Sequence, residues 1–209
     1  MEHGRALTIA QDLLAKFTPD CHRAEYAGSL RRKEPSVNDI EIVTMPILAL
    51  DMFDAPAPLA YSAHDATIAR LLEAGILGLE IKGGQRYKQF ALPQGINLDL
   101  FIVRPPAQWG VIYAIRTGPE AFSRWLVTKR RKGGALPSGY KISRGGMYYN
   151  DTLFPMPEER DFLDALGLGW IEPAARSAYV LDISKTSAIC PGHKGHMSRT
   201  QGAYVQDTI

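Results

Sequence analysis

The sequence predicts an α+β fold: a mixed β-sheet with helices on one face, followed by a small mixed α/β lobe toward the C-terminus. Three observations lead there. Residues 39–46 and 96–103 alternate apolar and polar side chains, as half-buried strands do. Residues 5–17 and 64–75 instead space their apolar side chains at a helical period. From about residue 106 both patterns give way to two short helical stretches and a Gly-rich section. The expected units are therefore a sheet-based lobe over 1–105, a second lobe over 106–176 and a tail over 177–209.

Taken in order, Ala6, Ile9, Ala10, Leu13, Leu14 and Phe17 make the apolar stripe of the first helix, which Thr18-Pro19-Asp20 stops. A short strand over 22–27 leads into Gly28-Ser29 and a turn or short helix, before the strand DIEIVTMP at 39–46. Residues 47–62 hold two prolines and no clear period, so a loop is expected. A helix over 64–75 follows, with Ile68, Leu71 and Leu72 inward and Gly75 closing it. Gly83-Gly84 turns a hairpin between 78–82 and 86–92, and 96–103 is the next strand. Beyond it, helices are expected over 107–116, 119–131 and 158–166, with a small hairpin at 139–150 between the last two.

Composition bounds the function classes. With 209 residues, 45% of them hydrophobic, the chain can bury a sizeable core. No run approaches the roughly 20 apolar residues of a membrane-spanning helix, so no membrane partner is expected. Two distant cysteines, Cys21 and Cys190, make a disulfide framework improbable and favour a reducing, cytoplasmic compartment. The net charge of +2 decides nothing, but its distribution does. Basic residues gather at Arg31-Arg32-Lys33, at Lys82, Arg86 and Lys88, and at Lys129, Arg130, Arg131 and Lys132. Basic clusters beside carboxylates suit a polyanionic substrate.

Three features carry chemistry. Gly28-Ser29 between a strand and a short helix offers backbone N–H groups and a hydroxyl to an anion, and an arginine one turn on can clamp a phosphate. Asp39 and Glu41 stand two apart in a strand, so both carboxylates leave the same face while Ile40 and Ile42 turn inward. Like charges so placed repel unless a cation joins them. Asp99, in Asn97-Leu98-Asp99, puts a third carboxylate on a second strand, and three such oxygen donors suit Mg²⁺.

On these residues the chain resembles the DNA polymerase X family, whose best-known member is DNA polymerase beta. GSLRRKEPSVNDIEIV (28–43) looks like its nucleotidyltransferase signature and NLDLFIV (97–103) like the strand of its third carboxylate. Thr117-Gly118 resembles its Thr-Gly turn, and 159–176 its C-terminal segment. The resemblance implies a nucleotidyltransferase palm that adds dNMP from dNTP to a DNA 3′-hydroxyl. Asp39 and Glu41 would bridge two Mg²⁺ ions, for which Mn²⁺ could substitute, and Asp99 would hold the catalytic one. Gly28, Ser29, Arg32 and Asn38 would contact the phosphates. Arg116, Thr117 and Gly118 would line the sugar and base pocket, with Ser123 and Arg124 one helical turn on. Lys129, Arg130, Arg131 and Lys132 would touch DNA phosphates, so binding should be steeply salt-dependent. The partners implied are a primer-template or gapped DNA, dNTP and an accessory DNA-binding protein, because about 28 residues before Gly28 leave no room for lyase or helix-hairpin-helix modules.

The chain departs from the family in places. Ile115-Arg116 replaces an aromatic pair, Asn97 a basic residue and Lys33 a glycine, and Glu41 is one methylene longer than the usual Asp. Pro119 after Thr117-Gly118 leads to the expectation of a cis Gly118–Pro119 bond. Other readings of the same residues are nucleotidyl transfer to a protein or small molecule, untemplated terminal transfer, or an inactive nucleic-acid-binding module. Cys190, His193 and His196 form a C-x₂-H-x₂-H pattern without an evident fourth ligand, read as a polar tail. His3, His22 and His64 are expected at surface or element-end positions.

Overall fold

The computed structural model describes residues 1–48 and 61–179. Most of the expected 47–62 loop and the whole Cys190, His193 and His196 pattern lie outside them. Helix α1 (His3–Phe17) buries Ala6, Ala10, Leu13 and Phe17, the inward stripe its spacing dictates. Thr18 ends it by donating its hydroxyl to the Leu14 carbonyl at 2.7 Å. Strand β1 (Cys21–Tyr26), a single-turn helix α2 (Gly28–Arg31) and strand β2 (Asp39–Pro46) follow. Helix α3 (Ala63–Glu73) begins at a capping box, in which Ser62 and Asp65 each satisfy the other's backbone N–H. Strands β3 (Glu80–Lys82), β4 (Tyr87–Ala91) and β5 (Asn97–Ile102) complete a mixed five-stranded sheet in the order β1-β2-β5-β4-β3.

The strands β2 and β5 at its centre are parallel; every other neighbouring pair is antiparallel. A parallel pair needs a long crossover, and here α3 and the β3–β4 hairpin supply it. Period two then sorts the side chains. Ile40, Ile42, Leu98 and Leu100 turn to one face, where they pack with Ala6 and Leu13 of α1 and Ile68 and Leu71 of α3. Each such buried side chain contributes about 1.5–3 kcal/mol. Asp39, Glu41 and Asp99 therefore leave the opposite face, with Val43 and Phe101 further along it. Those two bury against Trp109 and Tyr113 of helix α4 (Trp109–Thr117), so α4 runs beside the acidic residues.

A second core joins α4 to helix α5 (Glu120–Val127), to an antiparallel sheet of β6 (Tyr140–Ser143), β7 (Gly146–Tyr149) and β8 (Thr152–Phe154), and to helix α6 (Glu159–Ala165). Phe122, Leu126, Met147, Phe162 and Leu163 are fully buried in it.

Several expectations need correction. The helix expected over 119–131 stops at Val127, because Thr128 turns extended and ties its hydroxyl back to the Arg124 carbonyl; a 3-10 turn at Arg130–Lys132 and left-handed Gly133 follow. The hairpin at 139–150 gains a third strand, β8, too short at three residues to show a period. His64 stands at the start of α3, one of the element ends expected for it, and is fully buried against Phe17. The Gly118–Pro119 bond is trans; among the described residues the cis bond is Pro105–Pro106. Extended conformations at Gly118 and Pro119 reverse the chain between α4 and α5, with the Ser123 N–H donating to the Pro119 carbonyl at 3.0 Å.

Candidate active site

The β2–β5 register sets Glu41 directly opposite Asp99 and Asp39 opposite Asn97. Neighbouring strands lie roughly 4.8 Å apart, so the three carboxylates share one small area of the sheet face. Strand β4 fixes the third of them. Gln89 is the register partner of Asp99, and its amide donates to Asp99 Oδ1 at 2.7 Å; the Tyr87 hydroxyl donates to the same oxygen at 3.0 Å.

Crowding and burial disfavour ionisation here. Burial, reinforced by Asp39, pushes the Glu41 carboxyl up to about 7, while Arg116 and Arg32 oppose the rise. Asp39 is also raised, by burial first and Asp99 second. The donor chemistry fits a hard divalent cation, being all carboxylate oxygen on one face. The side chains are not drawn to a single point, however. Among the described residues no three His, Cys, Asp or Glu side chains form a ready-made ligand group. Asp99 Oδ1 is engaged by Tyr87 and Gln89, and the Glu41 carboxylate leans on Gly28, where an added Cβ would stand 1.6 Å from Oε2.

Gly28 is therefore required twice over. Its φ of +58° belongs to the left-handed region, and its bare Cα leaves room for Glu41. The Ala27 N–H donates to the Glu41 carbonyl at 2.8 Å, which fastens the start of α2 to β2. Ser29 follows with its hydroxyl buried and without a partner. Arg32 donates to the Thr117 carbonyl at 2.8 Å and approaches Glu34.

A polar cavity of about 540 Å³ opens between two walls. Ser29, Arg32, Ser36, Asn38, Asp39 and Glu41 form one, and Ile115, Arg116, Gly118, Pro119, Glu120 and Ser123 the other. The structure thus brings together Ser29, Arg32, Asn38, Asp39, Glu41, Arg116, Gly118 and Ser123 from the sequence-derived set. Asp99 and Gly28 lie behind the lining, next to Glu41. Thr117 is fully buried, and both its oxygens serve arginines: the hydroxyl accepts from Arg31 at 2.6 Å and the carbonyl from Arg32. Arg124 is largely exposed and pairs with Glu120 one turn earlier, outside the cavity wall. Lys129 and Arg131 border a separate hollow of about 210 Å³ with Ser138 and Gly139. Arg130, expected to contact DNA, instead donates to the Ala135 and Leu166 carbonyls and holds the end of α6.

Sequence reasoning passed over the group that fixes the two walls together. Arg31 makes a two-pronged ion pair with Glu159, at 3.0 and 2.7 Å, and its guanidinium lies 3.9 Å from the Tyr113 ring centroid. Glu159 in turn accepts from Arg176 at 2.6 Å, and both are buried. The Arg31-Arg32 pair is visible in the sequence, but only the fold reveals that its two members point to different partners. Tyr87 and Gln89 could have been flagged as same-face neighbours in β4, although not as partners of Asp99.

Comparison with known proteins agrees with this architecture. Residues 113–177 match the family described as DNA polymerase beta thumb. Among solved structures, the chain is similar to Leishmania infantum polymerase beta in a crystal structure titled a ternary P/T complex. The TM-score is 0.63 at 17% identity, over 84% of this chain and 76% of that one. No curated protein matches the chain. The chain thus has a fold similar to that of polymerase beta, and its residues 113–177 match the thumb of that family.

Proposed function

We propose that this polymerase-X-like chain is a metal-dependent nucleotidyltransferase that adds dNMP from dNTP to a DNA 3′-hydroxyl, releasing pyrophosphate. One observation carries the reading: Glu41 and Asp99 lie opposite each other on paired strands, with Asp39 on the same face, beside a cavity lined by Ser29 and Arg32.

Asp39 and Glu41 would hold two Mg²⁺ ions between them, and Asp99 would complete the catalytic one. Bound there, the ions would lower the pKa of the attacking hydroxyl and neutralise charge on the leaving group. The remaining steps belong to the protein. Tyr87 and Gln89 hold the Asp99 carboxylate in one orientation. Ser29, whose hydroxyl has no other partner, and Arg32 receive the β- and γ-phosphates. The 3′-oxygen bonds to the α-phosphorus as the bond to pyrophosphate breaks, and the hydroxyl proton passes to solvent through Asp99. A nucleic-acid partner is supported by the ternary P/T complex of the Leishmania protein and by the exposed Arg131 and Lys132 beside half-buried Lys129.

The test is extension of a labelled primer, on gapped, templated and untemplated DNA, with Mg²⁺ or Mn²⁺. Asp99→Asn should abolish incorporation by 10³-fold or more, roughly, without loss of fold. Labelling of protein without primer extension would overturn the DNA assignment.

A further inference from the structure

The acidic face has a cation of its own. Arg116, on the last turn of α4, lines the cavity and lies 4.0 Å above the Phe101 ring. Phe101 shares the Asp99 face of β5, two residues on, so the stack sets the guanidinium beside the carboxylates. Its charge acts on Glu41 first and Asp99 second. Among the described residues it makes no ion pair with either, and its buried Nε has no hydrogen-bond partner. Stacking, not contact, keeps it in place. Arg32 is the other cation that Glu41 senses, but Arg32 is tied to Thr117. Of the two, Arg116 alone is left unbonded.

We propose that Arg116 is a resident counter-ion of the Glu41–Asp99 pair and competes electrostatically with a divalent cation for those carboxylates. The proposal rests on the metal-dependent reading above. A fixed positive charge beside a second, doubly charged one raises the cost of placing it, and in a half-buried site that cost is only partly screened. Arg116 therefore tunes cation affinity downward. Where the family resemblance implies an aromatic residue, this chain carries a charge.

The experiment is a Mn²⁺ titration of the full chain followed by electron paramagnetic resonance, without nucleotide. Arg116→Gln should bind Mn²⁺ about tenfold more tightly than the wild type. Arg116→Lys, which keeps the charge and loses the planar stack, should return affinity toward the wild-type value. Arg116→Met keeps the apolar stem over Phe101 and carries the same expectation as Gln should the latter fold poorly. Asp99→Asn serves as the control for the site. Mn²⁺ binding that Asp99→Asn weakens, but that neither Gln nor Met at 116 strengthens, overturns the role of Arg116 and leaves the metal site standing. Binding that no variant changes overturns both.

Discussion

Gly28 stands at φ +58° with the Glu41 carboxylate against its Cα. Gly28→Ala meets both a left-handed backbone and a side chain it must displace. We expect a lower melting temperature and at least about a hundredfold loss of nucleotide transfer, because the displaced group is one of the three acids. Glu41 makes a contrasting case. Its carboxyl is raised to about 7, so folding favours the protonated form. The stability this confers is complete below the unfolded value near 4.5 and is lost as pH rises through about 7. Glu41→Gln should therefore be inactive yet more stable than the wild type at pH 8, by about 2 kcal/mol, with the gain vanishing near pH 4. His64 runs the other way. Burial lowers it to about 4 from 6.5, and neither ring nitrogen has a partner. The unfolded chain takes up this proton first, so stability is lost as pH falls from about 6.5 toward 4. Denaturant midpoints across that window should be flatter for His64→Phe than for the wild type.

Elements, rather than residues, decide how the two walls of the cavity meet. Helix α2 reaches the second lobe through Arg31, and Glu159 stands between Arg31 and Arg176 with 4% of its surface exposed. Glu159→Gln would leave one buried guanidinium, that of Arg176, and one half-buried, that of Arg31, short of a counter-charge. The expected cost is about 3–5 kcal/mol, seen as a shifted urea midpoint at unchanged slope. A milder result would mean that solvent reaches the network. This is also where the sequence was legible and where it was not. The strand at 39–46 could be read because alternation is a local signal, and Asp39 and Glu41 on one face followed from it. The pairing of Glu41 with Asp99 could not be derived locally, since these register partners stand 58 positions apart in the chain; only the motif likeness suggested it. Arg31 and Arg32 look alike in the chain, and their opposite roles arise from how α2 packs between β2 and α4. Thr117 was legible as a motif residue, but its use as an arginine anchor depends on that packing. The burial of His64 was not legible, because one residue at a helix start carries no periodicity, so nothing local told buried from exposed.

For the whole molecule, the proposed grip on DNA rests on surface charge, exposed at Arg131 and Lys132 and half-buried at Lys129. Lys129, Arg131 and Lys132 changed together to Ala should weaken binding to gapped DNA and reduce the slope of log affinity against log salt by about two to three, in a titration followed by fluorescence anisotropy. Arg130→Ala should act differently, lowering stability with little effect on that slope, because its guanidinium is spent on the Ala135 and Leu166 carbonyls. Among the described residues no helix is long and apolar enough to cross a membrane.

The cavity wall that bears Ser29 and Asp39 is anchored in one hydrophobic core, and the wall that bears Gly118 and Ser123 in another. A molecule lodged between them acts as a staple. It adds a bond between halves that would otherwise melt with only their own seam to hold them, so the two should come apart together once it is present. Heating the protein in rising concentrations of triphosphate should raise and sharpen its transition, by about 2.7 kcal/mol at a hundred times the dissociation constant.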